Sequence, residues 1–220
     1  MKRLNLAVTA QVESNILDYL VSRLPRWVTP DLLTLIALLS AIIGGSLYLF
    51  VDKNPYFLLL INVCLFIHWF GDSLDGRLAR LRKESRPNYG YYIDHIFDSV
   101  AASFFIGGIT VSSLTITAAW VWVLALMFLS MIHVFLKTKV NRVFEFSIQQ
   151  MGPTEARFGL VVLNFLIFFA GNPEFNFFEV SLKLMDIVGA VIALGFLLVL
   201  IPEITRTIIT LDRRDREISK

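Results

Sequence analysis

Asp72, Asp75, Asp94 and Asp98 stand close together in a chain that otherwise carries few ionisable groups inside its apolar stretches. An ionisable side chain inside or at the mouth of a membrane span is a functional candidate by default, because lipid penalises it. If the helix carrying Asp72 continues past the membrane face, Asp75, Gly76, Ala79 and Arg80 follow on the same stripe. Gly90, Asp94 and Asp98, four residues apart, make a second stripe on the next helix. The short connection between these helices allows them to lie antiparallel with the two acidic stripes facing. Carboxylates crowded in this way cannot all stay ionised without cations. Oxygen ligands with no cysteine nearby favour a hard ion, Mg²⁺ or Mn²⁺, and two such ions would neutralise four carboxylates.

The small residues beside the acids have two readings. Gly76, Ala79 and Gly90 can serve close helix packing, or they can leave room for a ligand to approach the backbone. Glycine costs a helix about 1 kcal/mol relative to alanine. Next to four aspartates and Arg80, whose planar fork suits diphosphate oxygens, the ligand reading is the one favoured. The alternative for Arg80 is an internal ion pair with one of the aspartates.

These residues need a membrane scaffold. Of 220 residues, 56% are hydrophobic and 17% charged, against roughly 45–50% and about 25% in soluble domains. Disorder is excluded, and a soluble globular enzyme is disfavoured because no core would hide so much apolar surface. Continuous apolar runs exclude a membrane β-barrel, whose strands alternate. The expected fold is an all-α membrane protein, a six-helix bundle with spans near Asp31–Val51, Pro55–Gly71, Gly90–Val111, Thr115–Leu136, Glu155–Gly171 and Leu182–Ile201. Every Lys and Arg except Lys53 and Lys183 then falls on one side. Both termini and the acidic stripes are therefore expected to be cytoplasmic. Thr9–Leu24 reads as an amphipathic interfacial helix, with Val12, Ile16, Leu17, Leu20 and Leu24 on its apolar stripe. The organisation is a 1–30 arm, a 31–205 membrane domain and a charged 206–220 tail. The start of the chain shows no cleavable signal peptide. The lone Cys64 excludes a disulfide framework and a Cys-rich zinc site. A net charge of +2 gives no indication of a nucleic-acid partner.

Written out, the stripes read D-x2-D-G-x2-A-R-x9-G-x3-D-x3-D from Asp72 to Asp98. This pattern resembles the signature of the CDP-alcohol phosphotransferase family, whose usual core has six spans. The resemblance implies transfer of a substituted phosphate from a CDP-linked donor to an alcohol, with release of CMP. It also implies two divalent ions and a homodimer. By position, Asp72, Asp75 and Asp94 would be metal ligands, and Asp98 a ligand, a general base, or both. Gly76, Ala79, Arg80 and Gly90 would line the nucleotide and diphosphate site.

Asp94-His95 with Asp98-Ser99, and Gly152-Pro-Thr-Glu155, are similar to segments of the choline/ethanolamine phosphotransferase branch. Carried over, His95 would take the acceptor proton and Glu155 would orient it. Equally, His95 can be a helix-interface hydrogen-bonding group and Glu155 a first-turn acid. Two substrate schemes stay open: CDP-diacylglycerol with a small polar alcohol, or a CDP-linked small alcohol with diacylglycerol. The short chain favours the first scheme and a bacterial or archaeal cell membrane; the His95/Glu155 pair favours the second scheme. Lys137, Lys139, Arg142 and Arg157 either bind an acceptor phosphate or only obey the positive-inside rule. The competing class is a small transporter or cation-binding bundle. Transport sites lie near mid-bilayer, whereas Asp72–Asp98 brackets a charged cytoplasmic connection.

Overall fold

Helix α2 (Pro30–Leu47) organises the bundle. Its start is defined locally: Thr29 is extended and its Oγ1 accepts from Leu32 N at 3.2 Å, while Pro30 fills the first turn. The computed structural model describes residues 10–141, 153–177 and 180–218. Lys2, Arg3, Thr9, Arg142, Gly152 and Lys220, used in the readings above, lie outside them, as do the side chains of Val12 and Glu13. Helix α1 (Ala10–Arg23) precedes α2. Helices α3 (Phe57–Leu81), α4 (Pro87–Val111), α5 (Ala119–Asn141), α6 (Pro153–Ala170) and α7 (Leu184–Ile218) follow it.

Helices α2–α7 stand where the six spans were expected. Among the described residues, four stretches are long and apolar enough to cross a membrane: Pro30–Phe50, Phe57–Leu81, Ala119–Val140 and Leu184–Glu217. The protein is therefore a helical integral membrane protein. Helices α4 and α6 carry the polar residues Asp94, Asp98, Glu155 and Arg157 towards their N-terminal ends.

Helix α3 continues past the end of its apolar span at Gly71 to Leu81, so both of its aspartates are helical, as their common stripe requires. Two features differ from expectation. Helix α7 passes through Pro202 and continues to Ile218, where Arg216 Nε reaches Asp212 at 3.0 Å. The apolar run ends near Ile201, but the helix continues beyond it through Pro202 and a stretch rich in β-branched residues, against local propensity. Between α6 and α7 an antiparallel hairpin pairs β1 (Glu174–Phe177) with β2 (Val180–Lys183), where only a connection was expected. Asp186 anchors this end of the bundle. Its carboxylate accepts from Lys183 N, Ile116 N, Thr117 N and Thr117 Oγ1 at 2.7–3.1 Å.

Close backbone approach sets the helix packing around α2. A Cβ added at Gly71 would sit 2.6 Å from the Leu33 carbonyl oxygen and 3.0 Å from Ala37 Cβ. A Cβ at Gly45 would sit 2.3 Å from the Phe104 backbone, and one at Gly108 would sit 2.1 Å from the Gly45 oxygen. Helix α2 thus packs closely against both α3 and α4. Deeper in the bundle, Tyr48 Oη donates to Asn164 Oδ1 at 2.9 Å. Asn164 Nδ2 donates to Asn62 Oδ1 at 2.8 Å. This chain ties α6 to α3, a role for Asn164 that polar groups commonly fill between membrane helices. On the other side, Trp120 Nε1 donates to the Met185 carbonyl at 2.8 Å, joining α5 to α7.

Helix α1 packs on the same chain. Leu17 and Val21 are buried with Val28, Leu33, Leu74 and Leu78, against the ends of α2 and α3. Ile16 and Tyr19 face outward, so the buried stripe is rotated from the expected one: Val21 is in and Ile16 is out. Polar contacts reinforce the docking. Arg77 Nη1 reaches Asp18 at 2.6 Å, and Arg82 donates to the carbonyls of Pro25 and Val28. The α3–α4 turn is closed by Glu84 N donating to Ala79 O at 2.8 Å, with Lys83 at φ +60°.

Three substitutions test this packing and the α3–α4 turn by thermal unfolding in detergent micelles. Gly71→Ala should cost about 1–3 kcal/mol, the usual cost of overpacking. Gly107→Ala, whose new methyl meets nothing within 4 Å, should be neutral or stabilising. Lys83→Gly should raise stability, because a left-handed conformation costs an L-residue roughly 1–2 kcal/mol.

Candidate active site

The C-terminal half of α3 and the N-terminal half of α4 converge over α2 and form a cleft lined by Thr34, His68, Asp72, Asp75, Asp94 and Asp98. Helical spacing puts Asp72 and Asp75 on one stripe of α3, and Asp94 and Asp98 on one stripe of α4. The α2 clamp turns the stripes towards each other. Asp72, Asp94 and Asp98 each offer a carboxylate oxygen, and these atoms all lie within 4.8 Å of one another. Three anions at this separation repel strongly, and a cation between them removes the penalty. A set of oxygen donors at this spacing fits a hard divalent ion.

Asp75 lines the same cleft, but its oxygens are directed elsewhere. Thr34 Oγ1 donates to its Oδ2 at 2.6 Å, and the Gly76 amide donates to its Oδ1. The structure thus brings three of the four expected ligands into one set and places the fourth beside it, held by α2.

The small residues now separate into two kinds. Gly71, Gly45 and Gly108 are packing positions. Among the described residues, an added Cβ at Gly76 would meet only the Arg80 guanidinium at 3.4 Å, and at Gly90 it would meet nothing within 4 Å. Neither glycine is needed for contact between the described helices, so that packing does not account for them. Arg80 lies along the stripe over Gly76 and is exposed at its outer end. Ala79 continues the stripe one turn beyond Asp75.

His95 is held by its own helix. Its Nδ1 lies 2.8 Å from the Tyr91 carbonyl oxygen, which only an Nδ1–H can satisfy. The lone pair is therefore on Nε2, the tautomer a base at that nitrogen requires. Tyr91 and Phe135 flank the ring at 4.2 and 5.0 Å between centroids, and Asp94 Oδ2 is 3.6 Å from Nδ1. Glu155 stands in the first turn of α6. His68, one turn before Asp72, has Nδ1 3.2 Å from the Ala37 carbonyl and is buried as an interior group.

Thr34 was not identified as a site residue from sequence, and Arg157 was weighed only as one of four cations that bind an acceptor phosphate or obey the positive-inside rule. Thr34 gave no signal, since a threonine in an apolar span is ordinary. Arg157 did give one. A cation near a helix N-terminus is unfavourable with respect to the helix dipole, so its presence there asks for another partner. That partner is the carboxylate cluster: Arg157 Nη2 donates to Asp72 Oδ2 at 2.7 Å and lies 3.6 Å from Asp98 Oδ1.

Comparison with known proteins agrees with this geometry. Residues 27–202 match the family model described as CDP-alcohol phosphatidyltransferase. Cholinephosphotransferase 1 of Mus musculus is 27% identical over 195 residues, covering 81% of this chain and 47% of its own. A CDP-alcohol phosphatidyltransferase class-I family protein of Dictyostelium discoideum is 24% identical over 195 residues, covering 82% and 48%. CDP-diacylglycerol–serine O-phosphatidyltransferase of Encephalitozoon cuniculi is 34% identical over 90 residues, covering 39% and 23%. The chain spans about half the length of the first two of these relatives. Members of the matched family use divalent metal ions, which accords with the donor set between α3 and α4. The helical membrane frame, the paired aspartate stripes and the match over most of the chain lead to one assignment: the protein belongs to the CDP-alcohol phosphatidyltransferase family.

Proposed function

We propose that the protein transfers a substituted phosphate from a CDP-linked donor to an alcohol at the cytoplasmic membrane face, releasing CMP. The observation that carries this reading is the convergence of Asp72, Asp94 and Asp98 in a cleft whose neighbouring glycines leave the backbone open. On this reading all six helices α2–α7 cross the bilayer and the protein works as a homodimer. Helix α1 lies at the cytoplasmic interface, with Ile16, Tyr19 and Trp27 facing outward.

Asp72, Asp94 and Asp98, with Asp75 completing the set, hold two divalent ions, Mg²⁺ or Mn²⁺. When bound, such ions polarise the diphosphate and stabilise charge on the departing nucleotide. The chain's own residues do the rest. Gly76, Ala79 and Gly90 give the diphosphate and nucleotide a path along the helix backbones. Arg80 supplies a planar fork for phosphate oxygens at the outer end. Thr34 keeps Asp75 oriented. The acceptor hydroxyl loses its proton to His95 Nε2, whose tautomer the Tyr91 carbonyl sets, with Glu155 holding the imidazole. A base at Asp98 is the alternative.

For the substrates, the long alignment with a cholinephosphotransferase and the Pro153-Thr-Glu155 start of α6 support a CDP-linked small alcohol as donor and a lipid alcohol as acceptor. The shorter but higher identity to the serine O-phosphatidyltransferase supports the opposite scheme, with CDP-diacylglycerol as donor.

Detergent-purified protein with Mg²⁺ or Mn²⁺ should release CMP from one donor in a panel containing both kinds, and lipid mass spectrometry should identify the product. Release from none would remove the reading. Asp75→Asn and Asp98→Asn should each lose at least about 10²-fold in turnover while keeping the wild-type melting temperature. Full activity in both would remove the metal site. His95→Ala separates the two bases: a loss of roughly 10²-fold or more supports His95, and unchanged turnover transfers the role to Asp98. Gly90→Ala should leave stability unchanged and raise KM for the donor.

A further inference from the structure

Arg157 is 13% exposed and comes from the N-terminal part of α6, where the helix dipole opposes a cation. It is nevertheless placed on the carboxylates. Its Nη2 is 2.7 Å from Asp72 Oδ2 and 3.6 Å from Asp98 Oδ1. Those two aspartates also belong to the set whose oxygens converge within 4.8 Å. A guanidinium and a divalent ion would therefore use the same lone pairs. Arginine cannot leave such a contact by giving up its proton; it has to move.

We infer that Arg157 is the resident counter-ion of the carboxylate site, which a divalent ion must displace, and that the displaced guanidinium then serves the diphosphate of the incoming nucleotide. The second half rests on the function proposed above; the first stands on the geometry alone. Without metal, three carboxylates face one another and Arg157 relieves part of their repulsion. With divalent ions bound, that relief is no longer needed, and the guanidinium is repelled by the ions and by its own helix end. A diphosphate arriving at the cleft offers it oxygens in the fork geometry that arginine matches. Metal and nucleotide binding are then coupled with positive sign, and by linkage each tightens the other. Arg157 is a positioning residue in this scheme, separate from the groups that take the proton.

The test measures Mn²⁺ binding to the purified full chain by electron paramagnetic resonance of free Mn²⁺, with and without CDP. Without nucleotide, Arg157→Gln should bind Mn²⁺ roughly tenfold more tightly than wild type, the size of one lost charge-assisted hydrogen bond. Its melting temperature in EDTA should fall and should recover with saturating Mn²⁺. Arg157→Lys keeps the charge but loses the fork, so its affinity should lie between the two; it carries the test if the glutamine variant does not fold. Mn²⁺ affinity equal to or weaker than wild type would overturn the inference, since it would make Arg157 an organiser of the site or a bystander. CDP should tighten Mn²⁺ binding by a larger factor in wild type than in Arg157→Gln, and equal factors would remove the diphosphate role. If the wild type released no CMP from any donor, the proposed function would fail while the Mn²⁺ comparison remained readable.

Discussion

The close contact of α2 with α3 and α4 is the constraint on which the site depends. Gly71 lets α3 approach the Leu33 carbonyl, and Gly45 with Gly108 lets α4 approach α2 as closely. Asp72 follows Gly71 directly, so the tight crossing and the first site carboxylate occupy adjacent positions. With both helices held against one neighbour, their acidic stripes meet where the end of α3 lies beside the start of α4. The repulsion this creates is met by helix packing elsewhere: the buried cluster running from Ala41 through Leu65 to Trp120, and the Tyr48–Asn164–Asn62 hydrogen-bond chain. The site is thus strained in charge and relaxed in shape, a condition that favours cation binding.

The glycines divide along functional lines. Packing glycines sit where an added carbon would strike backbone. Among the described residues, Gly76 and Gly90 sit where it would meet little or nothing, so the helix cost of glycine there is not offset by packing between the described helices. The arginines divide in the same way. Arg77 and Arg82 fasten α1 and its linker to the end of α3, and Arg157 turns into the acidic cleft. A rule that merely counts positive charge on one membrane face does not distinguish these roles.

Much of this was legible in the chain. Spacing alone put Asp72 with Asp75 and Asp94 with Asp98 on common faces, because helix periodicity is a local property. Apolar run length marked the helical membrane character, with four stretches among the described residues long and apolar enough to span. What spacing could not supply was tertiary. The hand that Thr34 gives to Asp75, the reach of Arg157 across to Asp72, and the rotation that buries Val21 in place of Ile16 depend on neighbours distant in sequence. The full length of α7 was missed for a different reason: hydropathy marks where lipid ends, and a helix can continue into water. The hairpin of Glu174–Lys183 was missed because two short strands between helices carry too little pattern to register.

The central claim is that the facing aspartates of α3 and α4 hold divalent cations at the point where a nucleotide diphosphate enters. Anomalous diffraction from crystals grown with Mn²⁺ and CMP tests this most directly. The account predicts manganese peaks bonded to oxygens of Asp72, Asp94 and Asp98, with the nucleotide lying along the open faces of Gly76 and Gly90. Manganese bound elsewhere, or nucleotide bound with no metal between α3 and α4, would contradict it.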